Sequence, residues 1–477
     1  MLPLEQLQQV VGADHVLSTP SEMFVYECDG LTHLRSRPGA VVLPATTLEV
    51  SAVVGLLASA NVPFVARGAG TGLSAGALCP EGGVIIELVR LNRVLAVDGG
   101  NRLAVVECGV TNAAVSAAAL PYGLFYAPDP SSQIACTIGG NLAENAGGPH
   151  CFKYGSTARH VQALTAVLPD GQVARYGSML ADEPGLDLVG LLVGSEGTCA
   201  IMTEATLKLM PIPEAVETLL AAFDSVERAC DAVRRIIARG LEPSALEILD
   251  RLTIEAVEAS VYAAGYPRDA GAVLLVEFDG GAEQVREAAD RVEELCAGME
   301  TLSLERARDE QHRLRLWKGR KGAFGAMGRL APDLYVQDAV VPRSRLPDVL
   351  AQVIEIGREY GLKLSNVFHA GDGNLHPNVS YDRRDPDETR RVIEAGARIL
   401  KACVDAGGTL SGEHGIGLEK RDYMHYVFNE DDLDKMRQVR DAFNRRSLLN
   451  PDKVLPATRS CVEARSKPGS LDLPEPS

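Results

Sequence analysis

Val367-Phe-His-Ala-Gly-Asp-Gly-Asn-Leu-His-Pro-Asn-Val379 has the makings of a β-hairpin. Asp372-Gly373 is the pair that a two-residue type I′ turn asks for, since both central residues need positive φ. With the turn centred there, Gly371 faces Asn374, Ala370 faces Leu375 and His369 faces His376. Directly opposed residues share a face of the hairpin, with Cβ atoms roughly 5 Å apart. Two imidazoles at that separation can converge on one metal ion. Asn378 looks out on the same face, two residues beyond His376.

A second run, Ser411-Gly-Glu-His-Gly-Ile-Gly417, supplies what the hairpin lacks. Glu413 offers a third, carboxylate ligand, and His414 an unliganded imidazole beside it. Two His and one carboxylate with open positions describe a catalytic metal, whereas structural zinc sites are closed by four protein ligands. A lone His-x6-His is more often ordinary hairpin polarity. The Asp-Gly symmetry, the nearby Asn and the Glu-His pair together favour the metal.

The 477 residues carry a net charge of −17 and are 46% hydrophobic and 23% charged. That is the composition of a globular chain of roughly two or three domains. The acidic balance speaks against nucleic acid or an anionic membrane surface as the main partner. The 10 cysteines are scattered, with no C-x-x-C pair, so no iron–sulfur cluster of the usual spacing is expected. Dispersed thiols suit a reducing compartment. No basic-then-apolar leader opens the sequence, and no apolar run reaches the ~18 residues of a membrane span. A cytoplasmic location is expected, with any membrane association supplied by partners.

Periodicity and punctuation predict an N-terminal segment over 1–35 and an α+β unit over 36–213 that ends at Pro211-Ile-Pro213. Its strands are expected at 40–43, 62–65, 83–88, 103–107, 163–168 and 200–209. A second unit over 214–443 opens with strands 218–223, 244–249 and 272–278, alternating with helices 225–239, 252–264 and 282–297. Those helices can cover one face of an antiparallel sheet. A basic helix over 311–327 follows, in which Trp317, Arg320 and Lys321 form an anchored face. Strand 334–341 and helix 346–360 lead to the hairpin, and helix 388–404 closes at Gly407-Gly408. Helix 431–444 precedes a C-terminal segment over 444–458, and a Pro-, Ser- and Glu-rich tail over 459–477 is expected to be disordered.

Strand 62–65 runs into Arg67-Gly-Ala-Gly-Thr-Gly-Leu-Ser-Ala-Gly76. Its glycines remove side chains so that successive N–H groups can turn toward an anion. The spacing is not G-x-G-x-x-G, and one such turn means little. Pro128-Asp-Pro-Ser-Ser-Gln133, Thr137-Ile-Gly-Gly-Asn-Leu-Ala-Glu-Asn-Ala-Gly-Gly148 and Gly194-Ser-Glu-Gly-Thr198 repeat its character. Together they suit a dinucleotide, whose pyrophosphate, ribityl chain and ring each need a polar cradle.

In this order, the four loops, the hairpin and the Glu-His run resemble the FAD-linked 2-hydroxyacid dehydrogenases, flavoproteins of the vanillyl-alcohol oxidase type. The likeness covers residues from about 20 to 457. Tyr26-Glu-Cys-Asp-Gly-Leu31, Ala127-Pro-Asp-Pro-Ser-Ser-Gln-Ile-Ala-Cys136 and Phe368-His-Ala-Gly-Asp-Gly-Asn374 are most similar to the flavin (D) subunits of bacterial glycolate oxidases. The resemblance implies an α+β fold: a two-part FAD-binding domain, a ferredoxin-like cap or substrate domain carrying the metal, and a C-terminal segment returning to the flavin. It implies that Arg67, Gly68, Ala69, Gly70, Thr71, Gly72 and Ser74 bind FAD. Pro128, Asp129, Thr137, Gly139, Gly140, Asn141, Gly147, Gly197 and Ile201 complete that site, with Asn450 near the ring. His369, His376 and Glu413 would ligate a divalent metal, zinc being the expected ion. Asn378 and His414 would stand at the substrate, and Arg320 with Lys321 would grip its carboxylate.

No His stands in the first glycine loop, so the flavin is expected to be noncovalent. Relatives acting on 2-hydroxyglutarate carry a lysine near where Val336-Gln337-Asp338 stand here, and its absence points to a small monocarboxylate. The expected chemistry is oxidation of glycolate, with D-lactate or another D-2-hydroxy acid as the alternative. The metal acidifies the hydroxyl, His414 takes its proton and the hydride passes to flavin N5. Electrons would go on to quinone or to a partner: the iron–sulfur and second flavin-type subunits of a glycolate oxidase complex. A metallohydrolase without flavin and a non-catalytic assembly subunit are readings of a different class. The first would purify colourless, and the second would keep its yellow colour when substrate is added.

Overall fold

The computed structural model describes residues 2–180 and 184–457; the tail expected to be disordered lies outside them. Ala40–Val42, Val84–Glu87 and Phe64–Arg67 are short and almost wholly buried. That texture belongs to a parallel sheet covered on both faces, and the three do pair in parallel, with Val84–Glu87 in the middle. Val16–Leu17 adds antiparallel at one edge. At the other edge the C-terminal segment returns, with Phe64 N donating to Leu448 O and Asn450 N to Phe64 O. A second, antiparallel sheet follows in the order Val94–Asp98, Leu103–Glu107, Ile201–Lys208, Val161–Val167, Val173–Gly177. Helix Ile138–Glu144 packs Ile138 and Leu142 into its core.

Beside a two-stranded pair of Leu124–Phe125 and Met210–Pro211, the largest sheet is antiparallel and orders Ser303–Arg306, Ala215–Phe223, Ala272–Gly280, Ala245–Asp250, Lys363–His369, Asn374–Leu375 and Ala339–Val340. Asp333–Val336 and Pro377–Tyr381 pair beside it. Helices Val226–Ala238, Ala282–Ala297, Leu346–Glu359 and Pro386–Asp405 share a core with Leu219, Ala221 and Phe223 on one face. Of the three helices expected over one face, the second lies on the other and is corrected here. Leu220 and Ala222 point to the other face and pack with Arg251–Glu258, Glu310–Lys321 and Ala323–Met327. A strand apolar on both sides cannot leave either to water without losing hydrophobic stabilisation.

The hairpin register is also corrected. His369 pairs with Asn374 and Asn366 with Pro377, so residues 370–373 make the turn. Of the Asp-Gly pair only Gly373 has positive φ, at 83°. The longer turn shifts the register by two positions, an even shift that keeps every side chain on its face. His369 and His376 become diagonal neighbours instead of an opposed pair. The strand expected over 334–341 is interrupted at Gln337-Asp338, both fully buried.

Candidate active site

A cavity of about 480 Å³ opens between the two sheets of the first unit and the cap. Arg67, Gly68, Ala69, Gly70, Thr71, Gly72, Thr137, Gly139, Gly140, Asn141, Gly147, Gly197, Ile201 and Asn450 line it from one side. Arg320, Lys321, Phe324, His369, His376, Glu413 and His414 line it from the other. Ser74, Pro128 and Asp129 are not on its surface. The Ser74 carbonyl accepts from Leu418 N, the Pro128 carbonyl accepts from Asn112 Nδ2, and Asp129 binds His150 and lies 3.4 Å from Lys321 Nζ. Asn378 is fully buried and also off the surface, its amide donating to the His376 carbonyl at 2.7 Å. Glu144 and Glu196, unmarked in the sequence as site residues, line the cavity.

The glycine side fits a phosphate-bearing cofactor. Among the described residues, no N–H from Gly68 to Gly72 donates to a protein acceptor, so a run of donors is left for a bound anion. A Cβ at Gly68 would lie 2.1 Å from Thr137 Oγ1, and one at Gly70 would strike the Arg67 guanidinium. The two loops therefore meet through bare backbone. Asn450, at φ 42° in the left-handed region that Asn tolerates, donates through Nδ2 to Glu196 O at 2.6 Å. The returning C-terminal segment is thereby fixed against the Gly194–Thr198 loop.

The opposite side fits a cation. Nε2 of His369 and of His376 lie 3.2 and 3.1 Å from Glu413 Oε1, with the rings 5.1 Å apart. Burial pushes His369 down, but Glu247 and Glu413 outweigh it and raise it well above the ordinary imidazole value. Burial at Glu413 is likewise outweighed by the two imidazoles, which lower it. These atoms ask for positive charge among them, which a divalent ion supplies more fully than one proton. His414 stacks on His376 at 5.0 Å and 7°. Burial lowers His414 to about 4, against the pull of Asp338, so its ring is neutral.

Three carboxylates that hold this wall were not foreseen. Glu247, in the register position opposite His369, accepts from Arg320 Nε at 2.5 Å and faces His369 Nδ1 at 2.7 Å. Arg320 is fully buried, and its Nη1 has no hydrogen-bond partner among the described residues. Glu196 accepts from Ile416 N and Gly417 N at 2.7 Å each, tying the first unit to the Glu-His loop. Asp338 accepts from the N–H groups of Gly412, Glu413 and His414. The only local hint was an acidic residue inside an apolar strand pattern, as in Leu246-Glu-Ile248.

Residues 38–177 match the family described as FAD binding domain, and residues 212–454 the one described as FAD linked oxidases, C-terminal domain. The chain belongs to the FAD-linked oxidases. This FAD-linked oxidase is 46% identical over 460 residues to the glycolate oxidase subunit GlcD of Escherichia coli strain K12, covering 96% of this chain and 92% of that one. It is 39% identical to GlcD of Bacillus subtilis strain 168, over 94% and 96% of the two chains. A D-lactate dehydrogenase of Archaeoglobus fulgidus is 34% identical, over 87% and 91%. Among solved structures, 4-ethylphenol oxidase from Gulosibacter chungangensis matches at TM-score 0.81 and 16% identity, over 96% of this chain and 97% of that one. p-Cresol methylhydroxylase matches at 0.79 and 17%, over 94% and 95%. At such identities the likeness shows the fold, the two-domain α+β architecture of vanillyl-alcohol oxidase type flavoproteins. The chain is an FAD-linked oxidoreductase. No helix among the described residues is long and apolar enough to cross a membrane.

Proposed function

We propose that this enzyme oxidises a small 2-hydroxy acid to the 2-oxo acid, glycolate first and D-lactate after it. One observation carries the reading: the His369, His376 and Glu413 cluster and His414 line the same cavity as the glycine loop 67–72. When bound, noncovalent FAD supplies a hydride acceptor, and a divalent ion, zinc by its donor set, acidifies the substrate hydroxyl. His369, His376 and Glu413 hold that ion, and Glu247 steadies the first of them. His414, neutral and within the cavity, takes the hydroxyl proton at Nε2. Arg320 Nη1 and the Lys321 ammonium hold the substrate carboxylate. Orientation of this kind can be worth several kcal/mol of the barrier. Leu334 and Val336 add apolar side chains to the cavity lining, which favours a small monocarboxylate.

Both GlcD relatives are named as subunits, and this chain is proposed to pass its electrons to a partner carrying an iron–sulfur cluster. The deciding experiment is an anaerobic titration of the yellow protein with glycolate, D-lactate, L-lactate and D-2-hydroxyglutarate, watching the flavin absorbance. Bleaching with glycolate at the lowest concentration is expected. A yellow protein that none of them bleaches overturns the reading. Quinone reduction by the purified chain as fast as by the assembled complex overturns the partner.

A further inference from the structure

We propose that Asp338 sets the working tautomer of both His376 and His414, and so acts as their common positioning residue. The inference rests on the proposed function for the roles of those two rings.

Asp338 is fully buried. Its Oδ2 is saturated: it accepts from Ser411 Oγ at 2.6 Å, Gly412 N at 2.9 Å, Glu413 N at 3.2 Å and His414 N at 3.0 Å. The equally buried Lys420 donates to the Asp338 carbonyl at 3.0 Å and lies 3.4 Å from Oδ2, which compensates the carboxylate charge. The chain brings these together because Thr409 bridges Val340, directing the Glu-His loop past the break between Asp333–Val336 and Ala339–Val340.

The other oxygen, Oδ1, has no hydrogen-bond partner among the described residues. Neither has Nδ1 of His376 nor Nδ1 of His414, and all three atoms are shut off from solvent. Ligand atoms of these three residues lie within 4.8 Å of one another, with His376 Nδ1 3.8 Å from Oδ1. Buried polar groups left unpaired are costly, so the three have to satisfy each other. A carboxylate oxygen only accepts, so each facing Nδ1 has to be the donor. A proton on Nδ1 leaves the lone pair on Nε2. On His376 that is the nitrogen 3.1 Å from Glu413 Oε1. On His414 it is a nitrogen with no hydrogen-bond partner among the described residues, on a cavity-lining ring. One carboxylate thus aims two lone pairs, one at the ion and one at the substrate proton, as carboxylates behind metal-bound and catalytic imidazoles do.

The test uses the holoenzyme labelled with 15N-histidine, with His376 and His414 assigned from the spectra of His376→Asn and His414→Asn. Both rings are expected as neutral Nδ1–H tautomers, and an Nε2–H signal from either overturns the proposal. Metal content is expected at one ion per chain. Two ions would make Asp338 and the two Nδ1 atoms ligands themselves, and would also overturn it. In Asp338→Asn, metal affinity by chelator competition is expected to fall on the order of 10–100-fold, and kcat on the order of 100-fold with KM little changed and FAD retained. Losses under about threefold in both, against that expectation, refute the role. If Asp338→Asn does not fold, the tautomers of the unaltered enzyme still decide. Should the enzyme oxidise no 2-hydroxy acid, the functional reading fails, while the tautomer and metal-affinity readouts still judge Asp338.

Discussion

Glu247 joins Arg320 to His369, and its removal should be felt in both stability and metal binding. The carboxylate is fully buried, 2.5 Å from Arg320 Nε and 2.7 Å from His369 Nδ1, and Arg320 is itself 1% exposed. Glu247→Ala leaves a guanidinium charge uncompensated in the interior, which costs about 3–5 kcal/mol. At about 2–4 °C per kcal/mol for a domain of this size, the thermal midpoint should fall by roughly 6–20 °C. Loss of the acceptor behind His369 should weaken the metal by on the order of 10–100-fold. Glu247→Gln keeps the volume but brings an NH2 to a place where two donors already converge, so a comparable loss is expected. Pairing Glu247→Met with Arg320→Met removes both charges and should recover stability to within about 1–2 kcal/mol of wild type while metal affinity stays low. Scanning fluorimetry and chelator competition read the two quantities. A midpoint shift under about 2 °C in Glu247→Ala, less than about 1 kcal/mol on that scale, together with unchanged metal affinity, would refute the reasoning.

His414→Ala and His369→Ala should each lower turnover by on the order of 100-fold or more with FAD still bound; near-normal turnover in either removes that residue from its role. Prolonged chelation should abolish turnover without loss of the yellow colour, and zinc should restore it. Gly147→Ala places a Cβ 2.5 Å from Glu413 Oε2. It should displace that ligand and weaken the metal at least about 10-fold, as checked by chelator competition. His150 sits between Asp129 and Glu277 at 2.9 and 3.1 Å. Burial opposes its charge, but the two carboxylates hold it up at about 10, and it in turn keeps them below their ordinary values. A raised imidazole stabilises fully below its unfolded value of 6.5, and that contribution fades as pH rises through about 10. The carboxylates contribute above 3.8 and 4.5 and lose that on acidification. The midpoint difference between wild type and His150→Gln should therefore be largest near pH 6 and shrink toward pH 10; an equal difference at both would show an uncharged His150.

Local chemistry is what the sequence by itself determined. The bare-backbone loop 67–72, the His369 and His376 pair and the Glu413-His414 run are each set by residues only a few positions apart, where turn geometry and periodicity act. The two-domain α+β order followed from them. Tertiary structure alone decided the hairpin register, because turn length answers to pairing with Ala245–Asp250 and Ala339–Val340 as well as to the turn residues. It alone decided that both faces of the cap sheet are covered. It also chose the carboxylates behind the site: Glu247 meets His369 across 122 residues of chain, and Glu196 meets Gly417 across 221. Nothing in a local pattern encodes such distances. An acidic residue in an apolar strand declares only that a buried partner must exist, since an unpaired charge there is too costly to keep, and folding alone names which partner it is.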